Sequence, residues 1–446
     1  MAGLTGQAAA FAANTEFWDI PEGTVQKAKD AILDCYGVTL AAKEDAAATI
    51  ILDYISEQSC LPKATILGLG IKSSSENAAF ANGVLAHTLD YDDLHVGSGG
   101  HTSCVLLPVI LALGEERGAS GADIITAYTV GFEIICRLGR QISLPSKAMG
   151  FHTTSLWGPV GAAAAAANLM KLDIPRTRMA LAIASSCASG LAGNFGSMTK
   201  GFHCGNSARA GLVAAKLAQK GFTGASDILE HDCGFIATFS RAPAAPDAMD
   251  TLGKVFALAD GVEFRLYPGR PESQGAIASA LSLVKTQDVA PQDVEEIIYE
   301  TSKKVPNPAS EEKFSIEYSM AAVILDRAAG IAQFRDEAVA RPEAQALMRK
   351  FTYAHPIGLD GQEGLLTNER IRLRLRDGRE VSHRVDRPRG TLDGAIDTES
   401  LVRKYRDCAG SALSPAQVEG SLDLLCNLEN LGNIADLIGP FSASRN

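Results

Sequence analysis

Residues 156–170 read Leu-Trp-Gly-Pro-Val-Gly, then six alanines, then Asn-Leu-Met. Alanine is the strongest helix former, and a helix surfaced with methyl groups lets its neighbours approach closely. The run is too short and too weakly apolar to span a bilayer. It predicts a helix at the centre of a packed bundle. Aromatic residues make up only 6% of the chain, and strict apolar–polar alternation is almost absent before about residue 262, so packed helices are expected rather than a β-sandwich. With 446 residues, 46% apolar and 21% charged, the chain has material for a large core and two domains.

Apolar periodicity and capping signals place helices from Pro21 through Leu40, from Ala46 to Gln58, and from about Glu76, capped by Ser74, towards His87. Further helices are expected over Cys104–Glu116, Gly121–Arg140, Ser155–Met170, Pro175–Ser189 and Asn206–Gln219. The character changes after residue 262. Val294–Thr301 reads as a strand. Ile371–Leu375 alternates strictly and meets Asp377-Gly378 before Val381–Val385, which predicts a hairpin with a type I′ turn. Helical patterns recur near 272–285 and 315–328, then over Thr398–Cys408 and Pro415–Leu428. The expected fold is mainly α: a large all-helical domain built from both chain ends, residues 1–262 and 391–446, plus a smaller α+β lid over 263–390.

The formal charge of −11, with no Lys/Arg-rich block, argues against a nucleic-acid partner. Nine cysteines are scattered without a CxxC pair, which reads as reduced thiols in a cytoplasmic setting and argues against an iron–sulfur cluster or a structural zinc. The N-terminus lacks a basic region followed by an apolar run, so neither a signal peptide nor a membrane partner is expected.

The densest chemistry lies at His87-Thr88-Leu89-Asp90-Tyr91-Asp92-Asp93-Leu94-His95, closed by Gly99-Gly100-His101. Three carboxylates and three imidazoles share fifteen residues of a chain with only eight histidines. A single His–Asp pair is ordinary at a capped helix end. This density is costly unless solvent or a ligand satisfies it, and it suits acid–base chemistry in which a carboxylate orients an imidazole that moves a proton. Helical spacing would put His87 and Asp90 on one face, with Asp93 a turn further on. Asp90, Asp92, Asp93 and His95 could also ligate a metal, but the EF-hand pattern fails and HExxH is absent, so no metal is expected. Downstream, His152, His203 and Lys200 sit among small residues. Arg265, Arg270 and the Tyr267-Pro268-Gly269 turn add cations and a hydroxyl, arginine being suited to bidentate carboxylate binding. Walker A, GxSxG and complete dinucleotide motifs are missing, so no organic cofactor is expected.

These residues resemble the MmgE/PrpD family, which includes 2-methylcitrate dehydratase, cis-aconitate decarboxylase and iminodisuccinate epimerase. The matching pieces are His87–Asp93, Gly100-His101-Thr102-Ser103, Gly150-Phe151-His152, Met198-Thr199-Lys200, His203 with Gly205–Arg209, Lys313–Tyr318, and Lys404-Tyr405. The resemblance implies a helical domain with a smaller lid, a homodimer and a cofactor-free active site between the domains. By motif it implies that Asp90, His101, His152, Lys200 and Tyr318 line that site, and these are the expected catalytic residues; Asp93, His95, His203, Arg265 and Tyr267 are expected, on their chemistry, to bind substrate. The chain departs from the family pattern at Leu94-His95, where some members have Thr, and at Arg265, where many have Lys. An arginine there keeps the charge but is unsuited to giving up a proton.

Three functions are expected in order. The first is a cofactor-independent lyase, dehydratase or decarboxylase, acting on a small anionic di- or tricarboxylate by proton transfer at carbon. The second is an epimerase or isomerase of a dicarboxylate using the same site. The third is a non-catalytic helical scaffold, which requires the polar cluster to be dispersed in space.

Overall fold

The Ala-rich run forms one helix, Thr153–Leu169, and every residue in it is buried in the computed structural model. The structure describes residues 3–269, 273–300, 312, 315–354, 369–385 and 396–439. The long Gly121–Ala148 helix and the Thr199–Gln219 helix both pack along the Ala-rich helix. Small side chains make that contact possible. A Cβ on Gly211 would stand 2.4 Å from Ala162 Cβ and 2.7 Å from the Pro159 carbonyl.

A second close crossing joins Ser75–Thr88 to Thr199–Gln219. At its centre Gly83 faces Gly205, and a Cβ on Gly83 would meet the Gly205 Cα at 2.7 Å. His87 lies one turn beyond Gly83, while Lys200, His203 and Cys204 lie within about a turn of Gly205. The glycine pair therefore brings two distant stretches of polar residues together. Ser74 caps the first of these helices by accepting from the Asn77 amide, as its position predicts.

The chain divides into two compact units, Met1–Phe264 with Leu401–Asn446, and Arg265–Ser400. The expected boundary near residue 390, Arg270, and Lys313-Phe314 lie outside the described residues. The first unit is not purely helical. Ala64–Ile66 pairs antiparallel with Ile71–Ser73, and Leu94–His95 pairs with Val262–Glu263. These ladders are too short for an alternating pattern to show in sequence.

In the second unit Val294–Glu300 pairs in parallel with Phe351–Ala354 and antiparallel with Glu369–Leu375, which in turn pairs with Glu380–Val385. The helices Gln274–Thr286 and Ile316–Asp326 supply Ile277, Leu283, Met320 and Val323 to a core shared with Ile297, Ile371 and Leu373. The hairpin is present, but its turn is not type I′. That turn needs positive φ at both central residues, and here only Gly378 has it, at 88°. The Gly378 amide donates to the Leu375 carbonyl and the Leu375 amide to the Arg379 carbonyl, giving a three-residue loop closed by a left-handed glycine. Among the described residues no helix is long and apolar enough to cross a membrane.

Candidate active site

The Ser75–Thr88 helix stops before the acidic cluster begins, so the expected helical placement of Asp90 on the face of His87, with Asp93 a turn further on, is corrected. The Asp90 amide closes a turn onto the His87 carbonyl, and Asp90 itself has φ of 47°. Aspartate tolerates this left-handed conformation better than most residues. The reversal sends successive carboxylates to different places. Asp90 is partly open, whereas Asp92 and Asp93 are fully buried.

Asp92 lies between two imidazoles. Its Oδ1 is 2.8 Å from His87 Nδ1, and its Oδ2 is 3.2 Å from His101 Nδ1. The aligned partner of His101 Nδ1 is the Asp93 carbonyl at 3.0 Å. A carbonyl only accepts, so Nδ1 carries the hydrogen, and Nε2 is the nitrogen through which neutral His101 exchanges protons. Burial alone would raise the Asp92 pKa, but the two imidazoles outweigh it and hold the carboxylate well below its usual range. Burial pulls the His87 pKa down, yet Asp92 and the Cys204 sulfur together leave it raised.

His152 occupies the N-cap of the Ala-rich helix, and its amide donates to the Gly190 carbonyl. The next two residues fasten the neighbouring loop. Thr153 donates to the Gly99 carbonyl at 2.6 Å, and the His101 amide donates to Thr154 Oγ1 at 3.0 Å. This gives the Gly150–Thr154 motif a mechanical role: it fixes two catalytic candidates against each other. The His152 ring stacks on His87 at 6.0 Å and meets the edge of Phe195 at 4.9 Å. Its Nδ1 lies 3.1 Å from His203 Nδ1. Burial, reinforced by the surrounding positive groups, pushes the His152 pKa well down, and burial lowers His203 as well. One neutral ring can therefore donate to the other.

Lys200 enters from the first turn of Thr199–Gln219. Its Nζ lies 2.7 Å from Asp90 Oδ1, and Asp90 Oδ1 is 3.9 Å from His101 Nε2. Asp90, His101, His152, Lys200 and His203 are thus brought together, and the dispersed cluster that the scaffold reading requires is not found.

The structure places other predicted residues differently. His95 is buried away from this group, with Nδ1 accepting from the Ser98 amide at 3.0 Å and Nε2 3.2 Å from the Asp260 carbonyl. Burial lowers its pKa to about 4. Both ring nitrogens are engaged within the loop, so the structure does not bring His95 together with the converging residues. Asp93 also points into the protein, with Thr102 Oγ1 3.3 Å from its Oδ2. Burial, with the Asp34 and Asp92 charges, raises its pKa to about 8. Its carboxyl is buried against Thr102, so the structure does not bring Asp93 together with the converging residues.

Three predicted residues belong to the second unit. The Tyr318 hydroxyl donates to the Gln333 carbonyl inside that unit's core. Arg265 Nη1 donates to the Gly269 carbonyl at 3.3 Å, and the Tyr267 amide donates to Gln274 at 3.2 Å.

Sequence reasoning assigned no role to several supporting groups. Lys404, from the C-terminal helix Thr398–Gly410, donates to the Tyr91 carbonyl at 2.7 Å and pairs with Asp34 at 2.6 Å, holding the acidic loop from beneath. Its family motif was the one available signal. Cys104 and Cys204, a hundred residues apart, meet beside His87. No local pattern announces that meeting.

Residues 6–246 match the MmgE/PrpD N-terminal domain and residues 267–430 the MmgE/PrpD C-terminal domain. The chain belongs to the MmgE/PrpD family. Within it, the chain is 29% identical to the cis-aconitate decarboxylase of Mus musculus, over 92% of this chain and 88% of that protein. The human cis-aconitate decarboxylase is likewise 29% identical, over 92% and 89%. That of Aspergillus terreus strain NIH 2624 is 26% identical, over 98% and 95%. As an MmgE/PrpD protein with these relatives, the chain is an enzyme of the lyase class.

Proposed function

We propose that this lyase is a cofactor-independent decarboxylase of a small unsaturated tricarboxylate of the cis-aconitate type. The observation that carries the reading is that Lys200 Nζ and His101 Nε2 both face Asp90 Oδ1, at 2.7 and 3.9 Å, while the His152–His203 pair packs against the same cluster through the His87 ring. The full-length similarity to cis-aconitate decarboxylases supports the substrate class.

In this reading Lys200 exchanges Asp90 for a substrate carboxylate. The carbon–carbon bond to the departing carboxylate breaks, carbon dioxide leaves, and the electron pair stays on carbon. His101 or His152 delivers a proton to that carbon, so one proton replaces one carbon dioxide. Lys200 stabilises the developing negative charge, an electrostatic contribution that is large in a water-poor site. The Asp93 carbonyl orients His101, and the Asp92 charge beside the ring favours its protonated form. On the family motifs, Arg265 and Tyr318 are assigned as further contributors, with Arg265→Gln and Tyr318→Phe as their tests.

The deciding experiment follows cis-aconitate by NMR with purified protein in deuterium oxide. The expected result is a dicarboxylate one carbon shorter, with one solvent deuteron at the protonated carbon. Two separately held imidazole groups also suit an epimerase. Deuterium exchange with inversion and no carbon dioxide, from a dicarboxylate, would replace the decarboxylase reading with that one.

A further inference from the structure

The mechanism above leaves His87, Cys104 and Cys204 without a role, yet the three form a compact donor set beneath the catalytic imidazoles. One ligand atom from each lies within 4.8 Å of the other two, and all three residues are buried. Zinc binds at about 2.3 Å to sulfur and 2.0 Å to nitrogen, so three donors around one ion stand roughly 3.5–4 Å apart. The set needs only side-chain adjustment to close.

A second observation points to a ligand. His87 Nδ1 is engaged by Asp92 at 2.8 Å, whereas Nε2 is fully buried and has no hydrogen-bond partner among the described residues. A histidine held through one nitrogen by a carboxylate, with the other nitrogen presented, is how metal-binding histidines are oriented. We propose that His87, Cys104 and Cys204 form a site for one thiophilic divalent ion of the zinc class. Two thiolates would neutralise the dication, and the sulfur donors exclude magnesium and calcium, which take oxygen ligands. The second donor group in this region, His87 with Asp90, Asp92 and His101, is less suited because its carboxylates already serve Lys200 and the imidazoles.

Metal binding is tested on the full chain without reference to turnover. Reduced, metal-free protein is titrated with Zn2+ against a chromophoric chelator, and with Co2+ as a spectroscopic stand-in. The expected result is one high-affinity ion per chain and a sulfur-to-cobalt charge-transfer band. Cys104→Ala and Cys204→Ser each weaken that band and lower Zn2+ affinity by at least about 10-fold. Cys233→Ser, an exposed cysteine whose amide bonds His231, leaves both unchanged. Thermal unfolding of each variant separates lost binding from lost folding. Absence of the band in the unsubstituted chain, or equal affinity in folded Cys104 and Cys204 variants, overturns the site. If the decarboxylase reading holds, Zn2+ also inhibits turnover reversibly by chelator. That arm rests on the proposed function, and the binding arms do not.

Discussion

Asp92 and Asp93 are adjacent, equally buried and opposite in protonation. Asp92 has imidazoles beside both oxygens and stays ionised, whereas Asp93 meets Thr102 and Ser103 hydroxyls and neighbouring negative charge and is raised to about 8. Linkage turns the second fact into a pH dependence. Asp93 stays protonated in the folded chain up to about pH 8 but ionises near the ordinary aspartate value of 3.8 when unfolded, so between these values the native state binds more protons. Its contribution therefore falls as pH rises across that window, by about 1.4 kcal/mol per pH unit at most. Asp93→Asn is expected to remove this slope, and denaturant melts from pH 5 to pH 8 check it; an unchanged slope refutes the assignment. At the same scale, His101→Ala is expected to lower kcat by about 10²–10⁴-fold, and Lys200→Ala chiefly to lower kcat/KM, both with little change in melting temperature. Equal loss of folding in both variants would make these residues structural.

At the scale of elements, the site depends on how closely two helices cross. Alanine at Gly83 would favour the helix by about 1 kcal/mol, but its Cβ would sit 2.7 Å from the backbone of Gly205, which has no flexible end to move aside. Overpacking of this kind costs about 1–3 kcal/mol. Gly83→Ala is expected to lower both the urea midpoint and activity, because separating the helices also separates His87 from Lys200. A variant as stable as the parent would show the crossing to be loose. Most elements were legible in sequence because capping and periodicity are local. Ser74 caps as expected, and the strands at Val294 and Ile371 lie where alternation puts them. The misplaced details were those that neighbours decide. Asp90 left the helix because the Asp90 amide closes a turn onto His87, and the hairpin turn chose a three-residue loop in place of type I′.

At the scale of the molecule, residues from remote parts of the chain meet under one loop. Lys404 reaches Asp34 and the Tyr91 carbonyl from the C-terminal helix. Lys404→Met would leave Asp34 buried without its cation, at a cost of about 3–5 kcal/mol, measurable by denaturant unfolding; a loss below 1 kcal/mol would mean the pair is not needed. The family resemblance also leads us to propose a homodimer, for which sedimentation equilibrium should give twice the 46.9 kDa chain mass at micromolar concentration. The amino-acid order alone determined the helical first half, the later strands, the family and the residue types of the site, because propensity, periodicity and motif are properties of neighbours in sequence. Only the tertiary structure decided that His95 and Asp93 turn inward, that His152 stacks on His87, and that Cys104 meets Cys204, because burial and side-chain direction depend on which distant backbone can come close.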